Sequence, residues 1–220
     1  MAGPQQVPNV CAGPFGSFYD FYIERPWLVR LIGRLVWGVD ASVLYTSMDS
    51  IARVPTGATI ADVPCGGGVA LRALDPAQDV RYLAADLSPE MLQRAGRRAR
   101  ERSLPQVELV VADMRELPFA DGEIDLFLSY SGLHMVPDPG EAVAEIARCL
   151  RPGGRLVGTS FFSDCSRRAR AIFAAGGRRG HPLPPSRADL LGWLATAGFD
   201  DPSVGPEAGF AVFSGSKPAG

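Results

Sequence analysis

The chain has 220 residues, of which 46% are hydrophobic and 21% are charged. This balance is typical of a soluble globular protein and excludes a largely disordered chain. The formal net charge of -2 gives no general attraction to nucleic acid, and no uncharged apolar run is long enough to cross a membrane. The four cysteines lack C-x-x-C spacing, so we predict neither a metal site nor disulfides, and we expect a cytoplasmic protein.

Residues 1–54 are predicted to form a leader and a helical cap, ahead of one compact domain over residues 55–220. Residues 1–16 are rich in proline and glycine, which predicts a poorly ordered leader without a secretory signal. From Phe18 to Arg53, apolar residues recur at three- and four-residue steps, which predicts helix. The aromatic residues at its beginning either pack on the core or form a lid over a pocket.

Strands and helices alternate after residue 57. The predicted strands are Thr59–Val63, Val80–Ala85, Val107–Val111, Ile124–Tyr130 and Arg155–Phe161, with weaker candidates near Ser203–Val204 and Phe210–Ser214. Ser88, Asp138 and Ser186 are the predicted helix caps, the last two in capping boxes with Glu141 and Asp189. This alternation predicts an α/β fold with a doubly wound, mostly parallel sheet covered by helices on both faces.

Glycines and aspartates follow successive strands of this predicted sheet. The three glycines 66–68 let a backbone approach a ligand closely. Asp86 ends the second strand and can accept hydrogen bonds from a ribose diol. Asp113 follows the third strand and can accept from an exocyclic amine such as that of adenine. Because the carboxyl ends of parallel strands meet at one edge, these residues predict a nucleoside site.

Other interpretations of the same residues remain open. A dinucleotide site would need glycine where Leu71 stands, and a phosphate-binding P-loop needs a lysine after the glycines, whereas Lys217 is the only lysine. The glycine cluster is also compatible with a structural turn, and a single aspartate at a strand end often caps a helix. However, Asp62, Asp86 and Asp113 stand at three successive strand ends, and helix capping alone does not readily explain all three.

Several segments, in order, resemble the class I S-adenosylmethionine-dependent methyltransferases, especially the small ubiquinone/menaquinone-biosynthesis-like branch. The segments are Ile60–Gly68, Ala84–Leu92, Val111–Met114, Leu117–Phe119, Ile124–Leu126, Leu133–Val136 and Leu150–Leu156. The resemblance implies a Rossmann-like seven-stranded sheet and S-adenosylmethionine as cofactor, with S-adenosylhomocysteine as product. The family usually has glycine where Pro64 stands, and proline removes a backbone donor and stiffens the loop.

The resemblance also implies roles for individual residues. Asp86 is expected to hold the ribose, Asp113 with Met114 the adenine, and Leu87 with Met91 to offer apolar surface to the ring. The methionine portion is expected to face Asp62, which acts through an ordered water or by fixing the loop. The remaining predicted cofactor contacts are Cys65, Gly66, Gly67, Gly68, Ser129 and Tyr19.

The implied reaction is an in-line methyl transfer to a small-molecule acceptor through oxygen, carbon or nitrogen. His134 is the candidate general base, with a histidine satisfied by its own loop as the alternative. Tyr22 is a candidate acceptor contact. We expect no metal, nucleic acid or membrane partner, and a monomer or homodimer. An RNA methyltransferase and a non-catalytic binding or scaffold protein of the same fold are the alternatives.

Overall fold

The computed structural model describes residues 25–37, 40–165, 169–171, 173–174, 183–206 and 209–220. The predicted leader and the candidate contacts Tyr19 and Tyr22 lie outside the described residues. The division into a cap over 1–54 and a domain over 55–220 remains a prediction.

A seven-stranded sheet forms the centre of the protein. Its strands are β1 (Ala58–Asp62), β2 (Val80–Asp86), β3 (Val107–Val111), β4 (Ile124–Tyr130), β5 (Leu150–Phe161), β6 (Asp200–Val204) and β7 (Phe210–Ser216). The spatial order is β3-β2-β1-β4-β5-β7-β6. β7 runs antiparallel to β5 and β6, and the other pairs are parallel. The predicted doubly wound, mostly parallel sheet is confirmed.

Helices flank this sheet. They are α1 (Pro26–Ile32), α2 (Val43–Ser47), α3 (Pro89–Glu101), α4 (Pro139–Cys149) and α5 (Arg187–Thr196), with a π-helical turn Gly33–Trp37 after α1 and 3-10 turns Met48–Arg53, Val69–Ala73 and Leu133–Met135. No helix in the described ranges is long and apolar enough to cross a membrane.

The N-terminal helical pattern is broken into short pieces rather than forming one long element. Asp40 precedes α2 and accepts hydrogen bonds from the backbone N (3.1 Å) and Oγ (2.6 Å) of Ser42. This turn competes with a continuous helix because the aspartate satisfies backbone donors locally. Val29, Leu44 and Ile51 are nonetheless buried against the sheet, so this part of the predicted cap packs on the core.

The three predicted caps are present, but the predicted Asp138–Glu141 capping box is only half formed, because among the described residues the Glu141 side chain accepts no hydrogen bond from the Asp138 backbone. Ser88 Oγ accepts from the backbone N of Met91 at 3.4 Å, and Asp138 accepts from the backbone N of Glu141 at 3.2 Å. Ser186 forms a complete capping box with Asp189. Such caps satisfy N–H groups that have no partner inside the helix.

The core lies on both faces of the sheet. One face packs Tyr82 and Leu128 against α2, the following 3-10 turn and α3. The other packs Phe127 and Phe213 against α4 and α5. The sequences of β1, β2 and β4 are nearly continuous apolar runs because these strands are covered on both faces of the sheet. The same packing holds their carboxyl ends rigidly.

The fifth strand begins earlier than predicted. The predicted strand is Arg155–Phe161, whereas β5 already begins at Leu150. The chain's C-terminal end explains the difference, because Gly153 N donates to Lys217 O at 3.0 Å and Lys217 N donates to Gly154 O at 2.8 Å. The Lys217 ammonium also donates to the carbonyls of Ala147 (2.8 Å) and Leu150 (2.7 Å) at the end of α4.

Candidate functional site

The three aspartates at the strand ends lie on the same edge of the sheet. Asp62 at the end of β1 pairs in register with Ala84 of β2. Asp86 at the end of β2 pairs with Val111 of β3, two residues before Asp113. The structure therefore brings the three predicted carboxylates to neighbouring loop tips, as the strand-end argument required.

The glycine loop after β1 needs glycine at two positions. Gly66 and Gly68 have φ of +52° and +80°, which other residues rarely adopt. A Cβ on Gly68 would lie 2.8 Å from Leu71 Cδ1 and 3.2 Å from the Ala95 backbone, so Gly68 lets the loop pack against α3. A Cβ on Gly66 would meet nothing within 4 Å, which leaves open space beside the loop.

Much of the loop's donor capacity is used within the protein. Cys65 N donates to Ala85 O at 2.8 Å, and Gly68 N donates to Cys65 O at 2.9 Å. Gly66 N donates to Asp86 Oδ2 at 2.9 Å. The half-buried Gly67 lies between these anchored residues. The loop is therefore a rigid wall of the site rather than a set of free amides.

Asp86 is held in one orientation by backbone donors. Its side chain is 8% exposed, with Oδ2 accepting from Gly66 N and Oδ1 from Ser88 N, both at 2.9 Å. Burial raises the pKa of Asp86, and the backbone hydrogen bonds of Ser88, Gly66 and Leu87 oppose that rise. A carboxylate has about four acceptor positions, so these backbone bonds leave capacity for a further donor such as a ribose hydroxyl.

Asp113 forms a two-pronged ion pair that the sequence analysis missed. Arg115 donates through Nε to Asp113 Oδ1 at 3.1 Å and through Nη2 to Oδ2 at 2.8 Å, and its backbone N also donates to Oδ1. The hydrogen bonds from Arg115 hold the pKa of Asp113 below its usual range. Asp113 is thus a fixed anion beside the buried Met114.

The predicted apolar surface for a ring is divided between an exposed and a buried residue. Leu87 directly follows Asp86 and is 49% exposed. Met91, in the first turn of α3, is 5% exposed and therefore lies largely beneath the surface. In this structure Leu87 is the more accessible of the two.

Asp62 is almost completely buried and is bonded to a tyrosine. Its side chain is 1% exposed, and Tyr82 OH donates to Asp62 Oδ2 at 2.9 Å. Burial raises the pKa of Asp62 to about 7, while the Tyr82 hydrogen bond lowers it and the charge of Asp86 raises it. Sequence analysis missed Tyr82, although a tyrosine within the apolar strand Val80–Ala85 was a signal.

His134 lies in the 3-10 turn that follows β4, among residues of β5. Its Nδ1 is 3.5 Å from Ser160 Oγ, a long contact, because that hydroxyl donates at 3.0 Å to Phe161 O. The imidazole meets the Phe161 ring edge-on at 5.1 Å, and Phe161 also contacts Phe173 and Phe210. Burial lowers the pKa of His134 to about 4, so the ring is neutral at physiological pH.

Ser129, another predicted contact, is closed off from the surface. It is fully buried, and its hydroxyl has no hydrogen-bond partner within the described ranges. A Cβ on Gly132 would lie 3.2 Å from this hydroxyl and 2.1 Å from Pro64 Cδ, so the loops after β1 and β4 meet above it.

The described residues contain no group of three or more histidine, cysteine or acidic side chains that could hold a metal ion. Cys65 is buried among acidic neighbours, and burial raises the pKa of its thiol. The described residues therefore show neither a set of metal ligands nor a reactive thiolate.

Comparison with known proteins identifies the family of this domain. The family model of the methyltransferase domain matches residues 61–158. A chloroplastic methyltransferase of Arabidopsis thaliana is 40% identical over 153 residues, 66% of this chain and 42% of that protein. The ubiquinone/menaquinone biosynthesis C-methyltransferase of Rickettsia prowazekii is 31% identical over 165 residues, 67% of this chain and 66% of that protein.

A solved structure from Bordetella parapertussis superposes with a TM-score of 0.74 at 22% identity, covering 92% of this chain and 79% of that one, which supports the fold.

The fold and the matched segments define a Rossmann-like methyltransferase domain. The chain belongs to the class I S-adenosylmethionine-dependent methyltransferase family. It spans less than half the length of the first curated relatives that it matches.

Proposed function

We propose that the protein transfers a methyl group from S-adenosylmethionine to a small-molecule acceptor. The observation that carries this proposal is the Asp86 carboxylate, which two backbone N–H groups orient beside the open space at Gly66. A buried, oriented carboxylate with spare acceptor capacity suits a ribose diol. Asp113 follows the neighbouring strand end and adds a second acceptor, for an attached base.

The side chains present fit the three parts of the cofactor. Asp86 would accept from the ribose hydroxyls, and Asp113 from the adenine amino group, with the exposed Leu87 offering an apolar surface to the ring. Asp62 lies under the loop on the methionine side and would interact with the ammonium group directly or through water. Tyr19, Met91, Met114 and Ser129 remain proposed members of this site.

The bound cofactor would supply a methyl group already activated by a positively charged sulfur. The protein's task is then to align an acceptor with that group and to exclude water. Positioning of this kind can contribute roughly 7–11 kcal/mol to lowering a barrier. The anchored glycine loop and the strand ends that are buried on both sides provide the rigidity that such alignment needs.

On the acceptor side we propose His134, with Tyr22, as the contact to the nucleophile. A neutral imidazole can accept a proton from an oxygen, nitrogen or activated carbon acid. The aromatic rings around His134 favour an acceptor with an apolar or aromatic ring. The Rickettsia relative, whose name refers to ubiquinone and menaquinone, is compatible with such an acceptor.

The proposal includes a cytoplasmic protein that acts without a metal or nucleic acid, as a monomer or homodimer. Pro64 supports a second candidate, a binding protein of the same fold without methyl transfer, because proline removes one backbone donor from the loop. The second candidate performs no methyl transfer, whether or not it binds the cofactor.

Titration calorimetry with S-adenosylmethionine and S-adenosylhomocysteine tests the first step. We expect both to bind, and mass spectrometry should then detect a gain of one methyl on members of a panel of phenols, quinols and amines. Absence of binding would refute the proposed function. Binding without transfer to any of a broad panel would favour the second candidate, and salt-sensitive methylation of RNA would favour an RNA substrate.

A further inference from the structure

Tyr82 places a hydroxyl inside an otherwise apolar strand. The side chain is fully buried, in the core cluster that contains Ile60 of β1 and Leu128 of β4. A phenylalanine would fill nearly the same volume, and a buried hydroxyl without a partner would cost free energy. The partner is Asp62, 2.9 Å away. Packing alone therefore does not account for tyrosine at this position.

Apart from the Tyr82 hydrogen bond, little offsets the free-energy cost of burying the Asp62 carboxylate. Among the described residues, the Tyr82 hydroxyl gives it the one hydrogen bond that its side chain receives, and no cationic side chain pairs with it. The nearby groups are acidic or neutral on every side. Asp86 and Tyr82 face Asp62 from β2, Cys65 from the loop after β1, and Tyr130 from β4. The Tyr130 hydroxyl in turn has Ser47, Asp49 and Ser50 around it, from the end of α2 and the 3-10 turn that follows.

We infer that Tyr82 is a positioning residue whose hydroxyl orients the Asp62 carboxylate and favours its ionised form, for contact with the ammonium group of the cofactor's methionine portion. Tyr82 acts through Asp62 and touches no ligand itself. A positive group arriving at this acidic pocket supplies the counter-charge that the described residues do not provide. This inference rests on the proposed function, because it assumes an amino-acid moiety in the site.

The arrangement makes cofactor affinity depend on pH near neutrality. The pKa of Asp62 is raised to about 7, so protonation on lowering the pH through 7 removes the charge that binds ammonium. Affinity should therefore rise with pH through this range. Loss of the Tyr82 hydroxyl removes a hydrogen bond that favours the ionised form, so the pKa of Asp62 rises further and the midpoint moves to higher pH.

The test compares two ligands and three proteins by calorimetry between pH 5.5 and 9. S-adenosylhomocysteine carries the amino-acid moiety, and 5′-methylthioadenosine shares the nucleoside but lacks that moiety. The proteins are the wild type, Tyr82→Phe and the matched control Tyr130→Phe, which removes a buried phenol hydroxyl that donates no bond to Asp62. For Tyr82→Phe we expect the midpoint to move up by about one pH unit and S-adenosylhomocysteine to bind about fivefold more weakly at pH 7.

Binding of 5′-methylthioadenosine should be the same in all three proteins, and Tyr130→Phe should leave the midpoint unchanged. An unchanged midpoint and affinity in Tyr82→Phe, with both ligands binding, would overturn the inference and leave the proposed function intact. If neither ligand binds the wild type, the proposed function itself fails. Should Tyr82→Phe not fold, Asp62→Asn serves instead, and retention of the wild-type pH dependence by that variant would contradict the inference.

Discussion

The ring of Pro64 packs directly against the backbone of Gly132, joining the loops that follow β1 and β4. A Cβ on Gly132 would lie 2.1 Å from Pro64 Cδ and 2.8 Å from Pro64 Cγ. The φ of Gly132 is -99°, which any residue can adopt, so the requirement for glycine is steric rather than conformational. The proline in the glycine loop thus requires glycine at position 132, 68 residues later, because a side chain there would clash with the proline ring.

This contact predicts that Gly132→Ala destabilises the protein by about 1–3 kcal/mol, the usual cost of overpacking. Urea unfolding measures the free energy. Pro64→Gly should relieve the clash, so the double variant should lose less stability than the two single changes together. Additive losses would show that the two loops do not constrain each other.

Asp86→Asn should weaken S-adenosylhomocysteine binding at least about tenfold, because a charge-assisted hydrogen bond contributes roughly 1.5–3 kcal/mol. The matched control is Asp75→Asn, since Asp75 also accepts a backbone N–H two residues later but lies in a separate exposed turn. Calorimetry measures both variants, with thermal unfolding to check the fold. Equal affinity of the two variants would argue against a ribose contact at Asp86.

His134 should make stability depend on pH below neutrality. Its pKa falls from 6.5 in the unfolded chain to about 4 in the folded protein. Between these values the unfolded chain binds more protons, so the free energy of unfolding decreases as the pH falls from 6.5 towards 4. His134→Gln should flatten this part of the curve, measured by urea unfolding at several pH values. A variant curve parallel to the wild type would contradict a neutral imidazole in the folded protein.

The same substitution tests the proposed chemical role. If His134 accepts a proton, His134→Gln should lower kcat at saturating acceptor by about 100-fold or more, with little change in cofactor affinity. Unchanged turnover at saturating acceptor would remove the base hypothesis and leave the histidine as a loop contact.

Arg148 fixes the segment that leads from Asp113 to β4. Its guanidinium donates to the carbonyls of Phe119 (2.9 Å) and Leu117 (3.2 Å) and to Glu145 at 2.7 Å, and Glu145 in turn accepts from Leu117 N. Arg148→Ala should therefore cost about 2 kcal/mol in free energy of unfolding.

Arg81→Ala is the matched control for Arg148→Ala. Arg81 also pairs with two carboxylates, Glu108 and Glu123, but it lies on the exposed end of the sheet. Surface pairs contribute about 0–1 kcal/mol, so this variant should lose less stability than Arg148→Ala. An equal loss in the two variants would show that the carbonyl contacts of Arg148 add nothing.

The sequence by itself determined the order of the strands, most of their positions, the capping residues and the acidic strand ends. Val107–Val111 and Ile124–Tyr130 match the observed β3 and β4 because apolar runs bounded by turn residues are local signals. Asp86 and Asp113 come together because parallel strands align their carboxyl ends, which follows from the alternation of strands and helices alone.

Only the tertiary structure decided the contacts between residues far apart in sequence. The Tyr82–Asp62 hydrogen bond, the Pro64–Gly132 packing and the extension of β5 by the chain's C-terminal end each join positions with no shared local pattern. The antiparallel insertion of β7 between β5 and β6 is of the same kind. Propensity and periodicity report what one segment prefers, whereas these contacts depend on which surfaces the folded sheet brings together.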